Sequence, residues 1–264
     1  MSTNSFIDTI KQMPPMLSWR EHRYEREFAH HTNSFRGVFN SFEEALASAP
    51  KTKAKGFNVD EFVGYFDNRR NRLFLYDYPV LFWLDRILQD KSRVFDIGGN
   101  TGVHYVAYRP YLRAWEQVQW EICEVPVVAE AGRKFAEREG YADHLSFTDN
   151  IWNADGADVV LSLGTLQYID KPSLQDLLAS LKKAPDHLLL GKLPLYSGPS
   201  YVTLQNGGPH FVAQRVFNRE DFLGTLNELG YRVIDEWQDP SRSCHVPFHP
   251  ECSVPVFTGL YLSH

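Results

Sequence analysis

From residue 93 onward, short apolar runs alternate with amphipathic stretches, and the rhythm holds as far as Leu195. The runs 93–97 (RVFDI), 118–125 (VQWEICEV), 145–149 (LSFTD), 157–164 (ADVVLSLG) and 187–193 (HLLLGKL) predict five strands. A helix is expected between the first and second runs, reaching about Trp115. The helix after the second run carries Val128, Ala131 and Phe135. The one after the fourth places Leu174, Leu177, Leu178 and Leu181 at i, i+3, i+4 and i+7. Strands that alternate with helices in this way imply a parallel sheet covered on both faces.

The rhythm breaks at 196–214 (YSGPSYVTLQNGGPHFVAQ), which reads as a hairpin or flap with Gly207 and Gly208 at its tip. Asn218 then caps a helix bearing Phe222, Leu226 and Leu229, and Gly230 ends it. Two last strands follow, at 231–237 and 254–262. Residues 1–92 read as a separate helical region. The charge-dense stretch 19–31 fits a solvated helix face or an arm, and Ser41 with Glu44 forms a capping box for a helix closed by Pro50. Residues 59–88 have helical spacing, with a break or kink at Pro79.

Composition narrows the partners. The 264 residues carry a net charge of −6, which offers no basic field for nucleic acid. Three cysteines are too few for a disulfide framework and point to a reducing compartment. The N-terminus lacks the cationic start and apolar block of a signal peptide, and no apolar stretch is long enough to span a bilayer. A cytoplasmic protein with no membrane partner is expected; oligomeric state is not legible.

The most informative turn is "GGNTG", which follows the first strand and Asp96. A dinucleotide loop, G-x-G-x-x-G counted from Gly98, requires glycine where Asn100 and Val103 stand. A triphosphate loop requires a second glycine five positions on and then a lysine, and the turn has neither. What remains is D-x-G-x-N-x-G through Asp96, Gly98, Asn100 and Gly102, a position pattern in which asparagine tolerates the left-handed backbone otherwise kept for glycine. Taken alone, it could also be a tight strand–helix turn with no ligand.

This pattern resembles the acidic-x-G-x-G-x-G loop of class I S-adenosylmethionine-dependent methyltransferases. Further segments, "FRGVFNSFEEALASAP", "SLGTLQYI" and "SCHVPFHPECSVPVFTGLYL", are similar to a family of bacterial methyltransferases of undefined substrate. The resemblance implies an α/β fold with a doubly wound, seven-stranded, mainly parallel Rossmann-like sheet whose last strand is antiparallel, under an N-terminal helical cap. The cap would be residues 1–92, and the cofactor domain 93–264 with a flap insertion at about 196–214. It implies S-adenosyl-L-methionine as cofactor, with Asp96 at the methionyl ammonium and Gly98, Gly99, Asn100 and Gly102 forming the loop. Glu124, followed by Val125, would take the ribose hydroxyls. Asp149 would meet the adenine amino group, with Asn150 and Ile151 beside it and Trp152 available to cover the ring. Leu163 and Gly164 would present carbonyls to the methionyl amine. Each carboxylate alone would be an ordinary strand-end residue, but their order at successive strand ends argues against coincidence.

The acceptor side is less defined. In the implied fold the loop 238–255 lies on the cofactor side, and it contains Cys244, His245, His249 and Cys252. The spacing C-H-x3-H-x2-C matches no strong zinc pattern, so no metal is expected. Proton handling or acceptor binding by His245 or His249 is weighed against histidines that merely tie the loop together. His210 in the flap and Tyr168 after the fourth strand complete the candidate catalytic set, with Gln167 beside Tyr168. His104 and Tyr105 open the helix after the glycine turn, where plain packing is the alternative. The expected activity is methyl transfer to the oxygen or nitrogen of a small molecule, such as a sugar or secondary metabolite. A non-catalytic cofactor-binding protein and a nucleotide-dependent oxidoreductase are the rivals.

Overall fold

The computed structural model describes residues 14–58, 63 and 67–264. The repeating pattern builds a seven-stranded sheet from β3 (Arg93–Ile97), β4 (Gln119–Cys123), β5 (Leu145–Thr148), β6 (Val159–Leu163), β7 (His187–Leu193), β11 (Arg232–Asp239) and β12 (Phe257–Ser263). Their order is β11-β12-β7-β6-β3-β4-β5. The consecutive strands β7, β6, β3, β4 and β5 are parallel, and β12 runs antiparallel to both neighbours.

Alternation along these strands creates two cores, one on each face. Val94, Val159, Leu161 and Leu189 face one side with Trp120 and Ile122, against Val80 and Leu84 of α3 (Asp77–Ile87) and Tyr105 of α4 (Val103–Tyr108). Phe95, Ile97, Val160, Leu188 and Leu190 face the other. There they meet Leu177 of α6 (Leu174–Ser180) and Phe222 and Leu226 of α7 (Arg219–Glu228). The side chains of Ser173 and Asn218 cap α6 and α7. Helix α5 (Pro126–Glu139) follows β4 and stops at Gly140, whose φ of +72° ends it. Pro79 does not break α3: it is the helix's third residue, where a missing N–H costs nothing. Residues 59–62 and 64–66 of the expected longer helix lie outside the described residues.

The N-terminal region is mixed rather than purely helical. Helices α1 (Pro14–Glu27) and α2 (Phe42–Ala47) flank a strand, β1 (Phe35–Phe39), and a short β2 (Ala54–Lys55) follows. The flap is the hairpin of β9 (Tyr201–Asn206) and β10 (His210–Asn218), turning at Gly207 and Gly208. β1 pairs antiparallel with β9, with Phe35 opposite Gln205, and β2 pairs with β10, so N-terminal segment and flap form one small sheet. β8 (Leu195–Tyr196) also joins β10. No described helix is long and apolar enough to cross a membrane.

Candidate functional site

The carboxyl ends of β3, β4, β6 and β7 open into a cleft of about 520 Å³, roofed by the flap sheet. Open α/β sheets hold ligands at this edge, and the volume suits a small molecule. Gly98, Gly99, Asn100, Glu124, Val125, Leu163, Gly164, Tyr168 and His210 all line it.

The glycine turn crosses the end of β3 under tight constraint. Gly98, Asn100 and Gly102 take φ of +80°, +52° and +92°. A Cβ on Gly98 would stand 1.9 Å from Thr165 Oγ1, and one on Gly99 would stand 2.3 Å from Asp96 Oδ2. The turn is anchored to the next strand end through Glu124. Its Oε1 accepts the Asn100 N–H at 3.0 Å and its Oε2 accepts the Val125 N–H at 3.0 Å. Burial pushes the Glu124 carboxyl up to about 7, against the pull of those two N–H groups. The Asn100 side chain accepts from Thr101 Oγ1 at 3.1 Å, while its buried Nδ2 has no hydrogen-bond partner among the described residues.

Asp96 does not face the cleft. It is fully buried beneath the turn, held by Trp120 Nε1 at 3.3 Å and His104 Nδ1 at 3.1 Å. His104 is what reaches the cleft, and Tyr105 packs into the core. Gly102 starts α4 against Leu145 and Phe135. Asp149 is exposed at the end of β5, outside the cleft, as is Trp152. Asn150 is committed to capping the turn after β5, accepting from Trp152 N–H at 3.2 Å. Ile151 lines a separate groove with Leu166 and Phe222.

On the flap side, Tyr168 Oη lies 2.8 Å from Gln205 Oε1 and 3.2 Å from Gln214 Oε1. A hydroxyl has one proton, so turning the Gln214 amide to donate satisfies both contacts and gives its buried Nε2 a partner. Burial raises the Tyr168 phenol to about 12, which makes it a donor rather than a base near neutrality. Phe57 lies edge-on to both Tyr168 and His210, with ring centroids 5.0 and 5.2 Å away.

The two loop histidines are elsewhere. Cys244 pairs with Val254 across the loop, and Cys244 and Val246 are fully buried. Extended backbone sends alternate side chains to opposite faces, so His245 between them points to solvent, near Ser253 Oγ at 3.3 Å. His249 stands beside Glu251 at 3.5 Å, outside the cleft. Among the described residues no group of three His, Cys, Asp or Glu side chains could hold a metal ion. What this loop does bring to the cleft is Ser241, Arg242 and Ser243.

Among the cleft residues that sequence reasoning missed are Arg69, Arg72, Phe74, Tyr76, Asp77 and Lys192. Lys192 had one available signal, a cation inside an otherwise apolar buried strand.

No protein-family model matches the chain, and no curated protein matches it. Solved structures do. One is the 1,6-didemethyltoxoflavin-N1-methyltransferase of Burkholderia thailandensis, crystallised with 1,6-didemethyltoxoflavin and S-adenosylhomocysteine. It is 17% identical, with a TM-score of 0.50, over 77% of this chain and 85% of that one. Another is an O-methyltransferase family protein from Burkholderia thailandensis, 14% identical with a TM-score of 0.50, over 94% of this chain and 69% of that one. The chain also matches the mitomycin 7-O-methyltransferase, 18% identical with a TM-score of 0.43, spanning 54% of that protein's length. The first two likenesses are of fold: this chain has the Rossmann-like fold of class I methyltransferases.

Proposed function

We propose that the protein binds S-adenosyl-L-methionine and transfers its methyl group to the oxygen or nitrogen of a small-molecule acceptor. The observation that carries this reading is the Glu124 carboxylate at the cleft wall. Each of its oxygens takes one backbone N–H and keeps a second lone pair, so the pair suits two adjacent ribose hydroxyls. The surroundings fit the same cofactor: a glycine turn without lysine, and a buried Asn100 amide nitrogen with no acceptor among the described residues. The cofactor supplies a methyl group activated by positively charged sulfur.

The remaining work falls to the chain. Gly98, Gly99, Asn100, Leu163 and Gly164 shape the methionine end, and Val125 borders the nucleoside end. We assign the adenine side to Asp149, Asn150 and Ile151, which follow β5 outside the cleft, so that the nucleoside would extend past Glu124. Asp96 positions His104 and the turn rather than touching the ligand. Tyr168, Gln167, Gln205, Gln214 and His210 form a polar wall that orients the acceptor, and the flap excludes water. We assign residues 1–92 to a cap and 93–264 to the cofactor domain, with the insertion at about 196–214. The net charge of −6 disfavours nucleic acid as acceptor, and the three cysteines favour a cytoplasmic site of action.

Incubating the protein with methyl-labelled cofactor and a small-molecule extract should label a low-mass product. Cofactor binding without any transfer would support the non-catalytic reading instead. Glu124 sets a pH dependence. With its carboxyl at about 7, protonation below that pH removes one acceptor, so S-adenosylhomocysteine affinity rises between pH 6 and 8 and then levels. Titrations across this range should show the rise in the native protein and a flat profile in Glu124→Gln.

A further inference from the structure

At the end of β7, Lys192 adopts a left-handed φ of +56°, a conformation a non-glycine residue holds only under constraint. Its side chain runs over Gly164, where a Cβ would stand 3.0 Å from Lys192 Cδ, and only 8% of the residue is exposed. The ammonium lies 4.0 Å from the Tyr76 ring centroid, and no hydrogen bond or ion pair holds it among the described residues. A buried lysine with no anion is costly.

Among the described residues, the carboxylates nearest it are Asp77 and Asp239. Asp77 accepts from Tyr108 Oη and from the Phe74 N–H, both at 2.7 Å. Asp239, at the end of β11, takes the Ser241 N–H at 2.9 Å and Oγ at 2.5 Å on one oxygen; its other oxygen is buried with no hydrogen-bond partner among the described residues, and the residue does not line the cleft. The other charged neighbours among the described residues are cations, Arg69 and Arg242. Arg72 lines the same wall, its guanidinium carbon 4.1 Å from the Phe74 ring centroid. A chain that is acidic as a whole thus lines its cleft with four cations, Lys192 among them at the end of β7, three strands along the sheet from the end of β4 that precedes Glu124.

We propose that this is an oxyanion subsite: the acceptor carries a carboxylate or phosphate group held between Lys192 and Arg242. The inference rests on the methyltransferase reading for the word acceptor, but the subsite itself is testable without it. Burial and the two arginines lower the Lys192 ammonium to about 8, so anion affinity falls as pH rises through that value. Asp77 and Asp239 oppose this lowering, and Tyr76 covers the same ammonium.

The test is calorimetric titration of the full chain with inorganic phosphate and, separately, malonate, at constant ionic strength. S-adenosylhomocysteine is titrated in parallel. The native protein should bind at least one anion. Lys192→Met and Arg242→Met should each weaken that binding about tenfold or more, with an unchanged urea unfolding midpoint as evidence of an intact fold. Binding of phosphate alone assigns a phosphorylated acceptor, and binding of malonate alone a carboxylic acid. No binding of either anion, or equal binding by native protein and both variants, overturns the subsite. Anion binding without S-adenosylhomocysteine binding sustains the subsite and sinks the methyltransferase reading.

Discussion

Glu124→Ala is expected to weaken S-adenosylhomocysteine binding by about 1–3 kcal/mol, from roughly fivefold to more than a hundredfold. Two losses combine. The ribose hydroxyls lose a charged acceptor, and such bonds are roughly twice as strong as neutral ones. The Asn100 and Val125 N–H groups, each bonded to one carboxylate oxygen at 3.0 Å, also lose their partner, so the glycine turn loses its anchor to β4. Glu124→Gln separates these effects, because its amide keeps one oxygen acceptor but turns a donor toward the second N–H. Its affinity should fall between those of the native protein and Glu124→Ala, as measured by calorimetry. Affinity unchanged in both variants would place the nucleoside elsewhere.

Gly99→Ala should damage fold and site together. The added methyl group would stand 2.3 Å from Asp96 Oδ2 and 2.7 Å from its Cγ. Asp96 has no space to retreat: it is fully buried and tied to Trp120 and His104. The turn must move instead, carrying Gly98 and Asn100 out of position. Overpacking of this kind costs about 1–3 kcal/mol, which urea denaturation should register, and cofactor affinity should fall about tenfold or more. Gly224→Ala is the matched control, since a Cβ there meets nothing within 4 Å.

Strands governed by local pattern were legible. The fifth run, 187–193, is β7 residue for residue, because it is buried from Leu188 to Leu193 and apolar there except at Lys192. The second run, 118–125, shortens to Gln119–Cys123. That trimming matters, since it leaves Glu124 and Val125 beyond the strand and free to line the cleft. The glycine turn was legible because its constraints are local, a left-handed backbone and no room for side chains. What depended on distant partners was hidden. β1 was absorbed into a helical reading because its ladder partner, Gln205 opposite Phe35, lies far along the chain. The loop histidines had suitable chemistry but no readable direction, and burial of Cys244 and Val246 turns His245 outward. Lys192 and Arg242 come to line one cleft only after β7 and the loop following β11 are placed around one sheet. Asp96, a strand-end carboxylate by sequence, is buried because the glycine turn folds over it.

The most direct test is titration of S-adenosylhomocysteine and of NAD into the native protein under identical conditions. S-adenosylhomocysteine should bind in the micromolar range or tighter, with no heat from NAD. Binding of NAD with no response to S-adenosylhomocysteine would contradict the cofactor assignment and return the cleft to nucleotide-dependent redox chemistry.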